Sequence, residues 1–117
     1  MSKIIEVAKG NLEEITIFGK DHQTIDGTAS RDYIHIDDLI SAHFSMIKVL
    51  NKISGADVYN LGTGQGTTVL ELIQLFEKTN DVKVPYSFVD RREGDLEEVY
   101  CLSAKAYEEL GWKTELS

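Results

Sequence analysis

The sequence predicts a small α/β domain. Short stretches rich in β-branched and aromatic residues alternate with runs whose apolar positions recur at helical spacing, and turn-forming residues punctuate the junctions. The length, 117 residues, is that of one ordinary domain able to bury roughly 65% of its unfolded surface around a single core.

The elements follow in order. In residues 3–9, Ile4, Ile5 and Ala8 fall at helical spacing, and Gly10 and Asn11 end that helix. ITIF at 15–18 reads as a strand. GKDHQTIDGTAS at 19–30 is dense in turn formers and reads as a surface loop or weak hairpin, with His22 in the loop. Tyr33, Ile34 and His35 read as extended. A helix follows, with Ile36, Leu39, Ile40, Ile47 and Leu50 on its apolar face. His43 shares that face and is expected to be a satisfied core residue, while Asp37 and Asp38 favour the first turn through the helix dipole.

VYNL at 58–61 reads as a strand and GTGQG at 62–66 as a turn. Thr68 and Glu71 match a capping box, ahead of the stripe Val69, Leu72, Ile73, Phe76. Val84 to Val89 is a strand whose Pro85 places it at an edge or marks its start. Val99 to Leu102 is another short strand. Ser103 caps a final helix through Leu110, and Gly111 stops it.

Charge and composition narrow the function classes. The balance is 12 Lys+Arg against 20 Asp+Glu, a net charge of −8, which disfavours nucleic acid and anionic membrane as general partners. It leaves room for one small anion on a local basic cluster. Cys101 is the one cysteine, so no intrachain disulfide forms; a reducing, cytoplasmic setting and a buried structural thiol are expected. No signal peptide or membrane-length apolar run is visible. No second His or Cys stands at metal-ligand spacing from His22, His35 or His43, and no catalytic residue is assigned.

Two stretches carry possible chemistry. GTGQG follows a predicted strand and opens a helix, as a dinucleotide loop does. Thr67 nevertheless takes the sixth position where that fingerprint needs glycine, so a tight turn is the simpler reading. RREGD at 91–95 sets two cations among acids. Arginine presents a planar fork suited to phosphate. Arg31 and one of the Arg91–Arg92 pair can clamp a diphosphate, Asp95 can accept from sugar hydroxyls, and Gly94 allows close backbone approach. Ordinary surface ion pairing among Asp90, Arg91, Arg92, Glu93 and Asp95 accounts for the same residues.

RDYIHIDDLISAH (31–43), VYNLGTGQGTTVLELI (58–73), RREGDLEEVY (91–100) and AYEELGW (106–112) together resemble the C-terminal part of the UDP-glucose 4-epimerase family, extended short-chain dehydrogenases. Order and spacing fit from about Ile4 to Lys113. The resemblance implies the small mixed-sheet substrate-binding domain of such an enzyme, 1–117, without its N-terminal NAD-binding Rossmann half. It implies that Arg31 and Arg92 contact the UDP diphosphate, Asp95 the ribose, and the strand from Thr16 to Phe18 the uracil. Tyr33 and Val69 line the nucleotide site, and Arg91 is structural. Val99 stands where the family gates the sugar pocket, and its small size implies room for N-acetylated UDP-hexoses.

The family's NAD loop and Tyr-x-x-x-Lys pair are missing from these 117 residues. The resemblance therefore implies no cofactor in this chain and NAD in the parent enzyme, which interconverts UDP-galactose and UDP-glucose through a 4-keto intermediate. The chain alone is expected to be inactive, to expose apolar surface at the junction with the absent half, and to self-associate there. A dehydratase or decarboxylase of the same superfamily, or an interaction module with a vestigial site, are the alternatives.

Overall fold

A computed structural model describes residues 1–116. The chain forms two compact units. The first comprises Met1–Arg31 and Thr67–Glu98; the second comprises Asp32–Gly66 and the chain from Val99 onward.

In the first unit, α1 (Ser2–Ala8) precedes β1 (Ile15–Phe18), β2 (Ser30–Arg31), β3 (Thr67–Thr68), α2 (Val69–Asn80) and β4 (Tyr86–Val89). Short β5 (Glu98–Val99) begins at the unit's end. β1 and β4 pair in parallel, Ile15 opposite Tyr86 through Phe18 opposite Val89. A second sheet has the order β3-β2-β5, antiparallel between β2 and β3, so the sheets are small and mixed as predicted. Ile4, Val7, Ile15, Ile17, Leu72, Ile73 and Val84 make the core, with Val69 and Phe76 packed against it. The predicted stripe of α2 thus faces one apolar cluster, whereas α1 turns Ile4 and Val7 to it rather than Ile4, Ile5 and Ala8. The capping box forms in full: Thr68 Oγ1 accepts from Glu71 N–H, and the Glu71 carboxylate accepts from Thr68 N–H. Thr68 Oγ1 also donates to Asp26, whose other oxygen accepts from Thr28 N–H and Oγ1–H at 2.9 and 2.7 Å. The 19–30 loop is therefore fastened to the start of α2.

The second unit holds α3 (Ile36–Val49), a turn of 3-10 helix (Leu50–Lys52) and α4 (Ala104–Leu110). Its core is Ala42, Ala106 and Trp112, with Ile34, Tyr59, Leu61 and Leu110 against them. α3 is helical over the predicted stretch, but its buried side is not the predicted apolar face. Asp38 and Ala42 are buried, whereas Ile36, Ile40, Phe44, Ile47 and Leu50 are exposed. The Trp112 indole N–H donates to the Asp38 carbonyl, and the Asp38 carboxylate accepts from Glu115 and Leu116 N–H groups. Polar anchoring, invisible to hydropathy, chooses the inward face. His43 is accordingly exposed rather than in the core, its Nδ1 bonded to the Leu39 carbonyl at 2.7 Å.

Four further expectations change. Residues 58–61 form no strand: among the described residues none pairs with them, and Val58 N–H turns back to Asp57. The predicted strand at 99–102 is only Glu98–Val99, and the residues assigned to β2 are Ser30–Arg31 rather than 33–35. Ser103 occupies the position before α4 without a side-chain cap, while Gly111 adopts the left-handed conformation that ends the helix (φ +63°).

Asp32 organises the GTGQG turn. Its carboxylate accepts from Thr63 N–H and Oγ1–H at 2.9 and 2.7 Å, from Gly64 N–H at 3.0 Å and from Cys101 N–H at 3.2 Å. Burial raises the Asp32 carboxyl pKa, but these donors outweigh it and hold the group below its ordinary 3.8. A lowered folded pKa means the unfolded chain binds more protons between the two values. The contribution of Asp32 is therefore complete above the ordinary carboxylate range and is lost as pH falls through its folded pKa. Asp32→Asn is expected to cost about 2 kcal/mol at pH 7. Urea titrations at pH 7 and below pH 4 should show the variant losing less stability on acidification than the unsubstituted chain; parallel losses would contradict this.

Candidate functional site

β4 runs into RREGD, and Gly94 takes a left-handed φ of +76°. That turn brings Asp95 N–H back to the Arg92 carbonyl at 3.2 Å and folds the Asp95 side chain beneath Arg92. Arg31, delivered by β2, reaches the same carboxylate. Arg31 Nη2 donates to Asp95 Oδ1 at 2.7 Å and Arg92 Nη2 to Oδ2 at 3.1 Å. The carboxylate is 12% exposed, against 61% for the Arg92 side chain. The acid is thus sheltered and one guanidinium lies open. The bond from Arg92 holds the Asp95 carboxyl below its ordinary pKa against the effect of burial, with Arg31 and His22 adding attraction.

The Arg92 guanidinium also stands 4.6 Å over the centre of the Phe18 ring. Alternation along β1 puts Ile15 and Ile17 in the core, leaving Thr16 exposed and Phe18 half-buried on the other face. Four predicted site residues, Phe18, Arg31, Arg92 and Asp95, therefore converge. Val69 opens α2 with its N–H on the Ala29 carbonyl and its side chain against the core. Tyr33 and Val99, both partly exposed, belong to the second unit.

Arg91 does something different from its neighbour. It donates to the Asp21 carboxylate at 2.8 Å, to the Asp21 carbonyl and to Glu97 at 3.1 Å. Two acids and a backbone oxygen consume its fork, which ties the 19–30 loop to the RREGD turn. An open cavity of about 600 Å³ lies between residues 19–21 and 88–91. A smaller one in the second unit, about 370 Å³, lies beside Asp57 and Glu109, with Lys105 already paired to Asp57. It offers an anion nothing comparable to the two arginines.

His22 lies in the 19–30 loop, as the sequence predicts, but is not a surface residue there. It is 4% exposed, with Nε2 on the Phe18 carbonyl at 3.3 Å. The signal lay in GKDH: Gly19 has a φ of +82°, and a Cβ there would stand 2.5 Å from His22 Nε2. Only glycine lets the ring fold back over the strand end.

The GTGQG turn does not suit a dinucleotide. The N–H groups of Thr63 and Gly64, which would have to cradle phosphate, already donate to Asp32. This turn is therefore no phosphate cradle as it stands. Cys101 is half-buried, and burial, with the Asp32 charge beside it, pushes its thiol pKa up, away from nucleophilic reactivity. Among the described residues no cluster of His, Cys, Asp or Glu suits a metal, and no helix is long and apolar enough to cross a membrane.

Comparison with known proteins places these features in a family. A family model described as the NAD dependent epimerase/dehydratase family matches residues 1–62. The UDP-glucose 4-epimerase of Bacillus subtilis is 50% identical over 114 residues, which cover 97% of this chain and 33% of the relative. The structure of UDP-glucose-4-epimerase from Stenotrophomonas maltophila with bound NAD and formylated UDP-arabinopyranose superposes with a TM-score of 0.94 at 46% identity, covering 99% of this chain and 34% of the other. The UDP-Glc/GlcNAc 4-epimerase of Campylobacter jejuni superposes at 0.85 with 34% identity, covering 98% of this chain and 35% of the other. The chain spans about a third of the length of the curated relatives it matches.

Proposed function

We propose, because the chain belongs to the NAD dependent epimerase/dehydratase family, that it is the UDP-sugar-binding portion of a UDP-glucose 4-epimerase acting in galactose metabolism in the cytoplasm. The observation that carries this reading is the meeting of Arg31 and Arg92 on one sheltered carboxylate, beside Phe18. Each guanidinium spends Nη2 on Asp95, so the rest of the Arg92 fork remains for a diphosphate. Asp95 holds the pair apart and keeps lone pairs for ribose hydroxyls. Thr16 to Phe18 lie along uracil, and Tyr33 and Val69 line the nucleotide. NAD and the catalytic Tyr-x-x-x-Lys pair belong to the rest of a longer enzyme, which covers the exposed apolar stripe of α3.

Isothermal titration with UDP tests the binding reading. Saturable binding is expected, weakened about tenfold or more by either Arg92→Ala or Asp95→Ala, as loss of a charge-assisted contact dictates. No binding, or binding indifferent to both changes, contradicts it.

Such a chain anchors substrate equally in ground and transition states and supplies no chemistry of its own. Incubated alone with UDP-galactose and NAD, it is expected to form no UDP-glucose; product above a no-protein blank contradicts this. Val99 supports a wider substrate range, including the N-acetylated UDP-hexoses, because its small side chain leaves room where tyrosine would not. In a full-length enzyme carrying this chain, Val99→Tyr is expected to suppress turnover of UDP-GlcNAc and spare that of UDP-galactose. Turnover of UDP-galactose alone by the unsubstituted enzyme contradicts the idea.

A further inference from the structure

Arg91 and Arg92 are adjacent, yet they are supported in different ways. Arg91 donates from Nε, Nη1 and Nη2 to the Asp21 side chain and carbonyl and to Glu97, so acids surround its charge and use up its fork. Among the described residues Arg92 gives one hydrogen bond, from Nη2 to Asp95 at 3.1 Å. Its second support is the Phe18 ring, whose centre lies 4.6 Å from the guanidinium carbon. An aromatic face attracts a cation through its quadrupole and takes none of its N–H groups. A carboxylate in the same place would consume donors and repel an incoming anion. The ring does neither, so most of the Arg92 fork stays available.

Phe18 is itself held at both its backbone and its ring. Gly19 N–H donates to the Val89 carbonyl at 2.9 Å, and the Phe18 carbonyl accepts from His22 Nε2 at 3.3 Å. A carbonyl only accepts, so Nε2 carries the proton. His22 is buried, and Gly19 vacates the space that a Cβ would fill against its ring. Alternation along β1 sends Ile15 and Ile17 into the core and stands the Phe18 ring on the opposite face, beneath Arg92. Backbone groups alternate too. Those of residues 15, 17 and 19 turn to β4, and those of Thr16 and Phe18 to the edge that no strand occupies among the described residues. Ring and backbone of Phe18 thus act in separate directions, and replacing the ring leaves the backbone groups in place.

We propose that Phe18 is a positioning residue for the diphosphate, acting through its ring: it fixes the Arg92 guanidinium before the ligand arrives and leaves the donors open to phosphate oxygens. A long, mobile arginine loses rotamer freedom when it closes on an anion. Arg92 has already given up part of that freedom to the ring and to Asp95, so less is lost on binding. The proposal rests on the nucleotide reading above and gives the ring a role separate from any contact between the Phe18 backbone and a base.

The test is titration with UDP, followed through backbone amide resonances, of the unsubstituted chain, Phe18→Leu, Arg92→Ala and the double substitution. Leucine keeps apolar bulk and removes the π face. The UDP Kd of Phe18→Leu should rise about fourfold, the scale of one cation–π contact near the surface. In the Arg92→Ala background the same substitution should leave Kd unchanged, because the group that the ring positions is gone. Phe18→Tyr, which restores a π face, should recover the unsubstituted affinity. Should Phe18→Leu fail to fold, Phe18→Met is read against the same two backgrounds. Equal weakening with and without Arg92, no weakening in either, or no recovery in Phe18→Tyr overturns the role of the ring and leaves the nucleotide site standing. No saturable UDP binding by the unsubstituted chain overturns both.

Discussion

The parallel pairing of β1 with β4 is the constraint on which the first unit depends. A strand has two faces and two edges, and β1 uses all four. Ile15 and Ile17 turn one face into the core. Thr16 and Phe18 occupy the other, where Arg92 lies over the Phe18 ring. One edge is committed to β4. The remaining edge, unpaired by any strand among the described residues, presents a short run of backbone donors and acceptors that side-chain substitution, proline apart, leaves in place. A shift of register by one residue would exchange the core face with the face under Arg92, so core packing and the placement of the Phe18 ring are specified by the same four residues.

That pairing also explains why an acidic chain keeps two adjacent cations. β4 ends at Val89, and the next turn sends consecutive arginines in different directions. Arg91 is spent on Asp21 and Glu97 and fastens the 19–30 loop; Arg92 turns to Asp95 and the Phe18 ring. Exposed ion pairs of this kind contribute roughly 0–1 kcal/mol each. Stability alone is a weak reason for such a cluster; in the proposed UDP site the sheltered Asp95 spaces the two guanidinium groups of Arg31 and Arg92.

Local signals in the sequence were legible where they act through backbone chemistry. The Thr68–Glu71 capping box, the stop at Gly111, the ITIF strand and the stripe of α2 all appear as read. Hydropathy failed where the deciding interactions are polar. Asp38, which takes the Trp112 indole and two backbone donors across 74 to 78 residues of sequence, turns α3 opposite to its apolar stripe. VYNL has strand composition, but a strand also needs a neighbour, and none pairs with it among the described residues. In the candidate site, Arg31, Arg92 and Asp95, which chemistry and resemblance together single out, do meet. His22 escaped because an aperiodic loop carries no burial signal; only its proximity to a glycine hinted at a ring folded onto the backbone.

The central claim, that the free edge of β1 and the Arg31–Asp95–Arg92 cluster form one UDP site, is tested most directly by following backbone amide resonances as UDP is added. The Phe18 amide should shift and become protected from hydrogen exchange together with the resonances of Arg92 and Asp95, while the amides of Ile17 and Gly19, already bonded to β4, change little. Perturbation of the arginine cluster with Phe18 unmoved, or saturation at residues outside this cluster, would contradict the account.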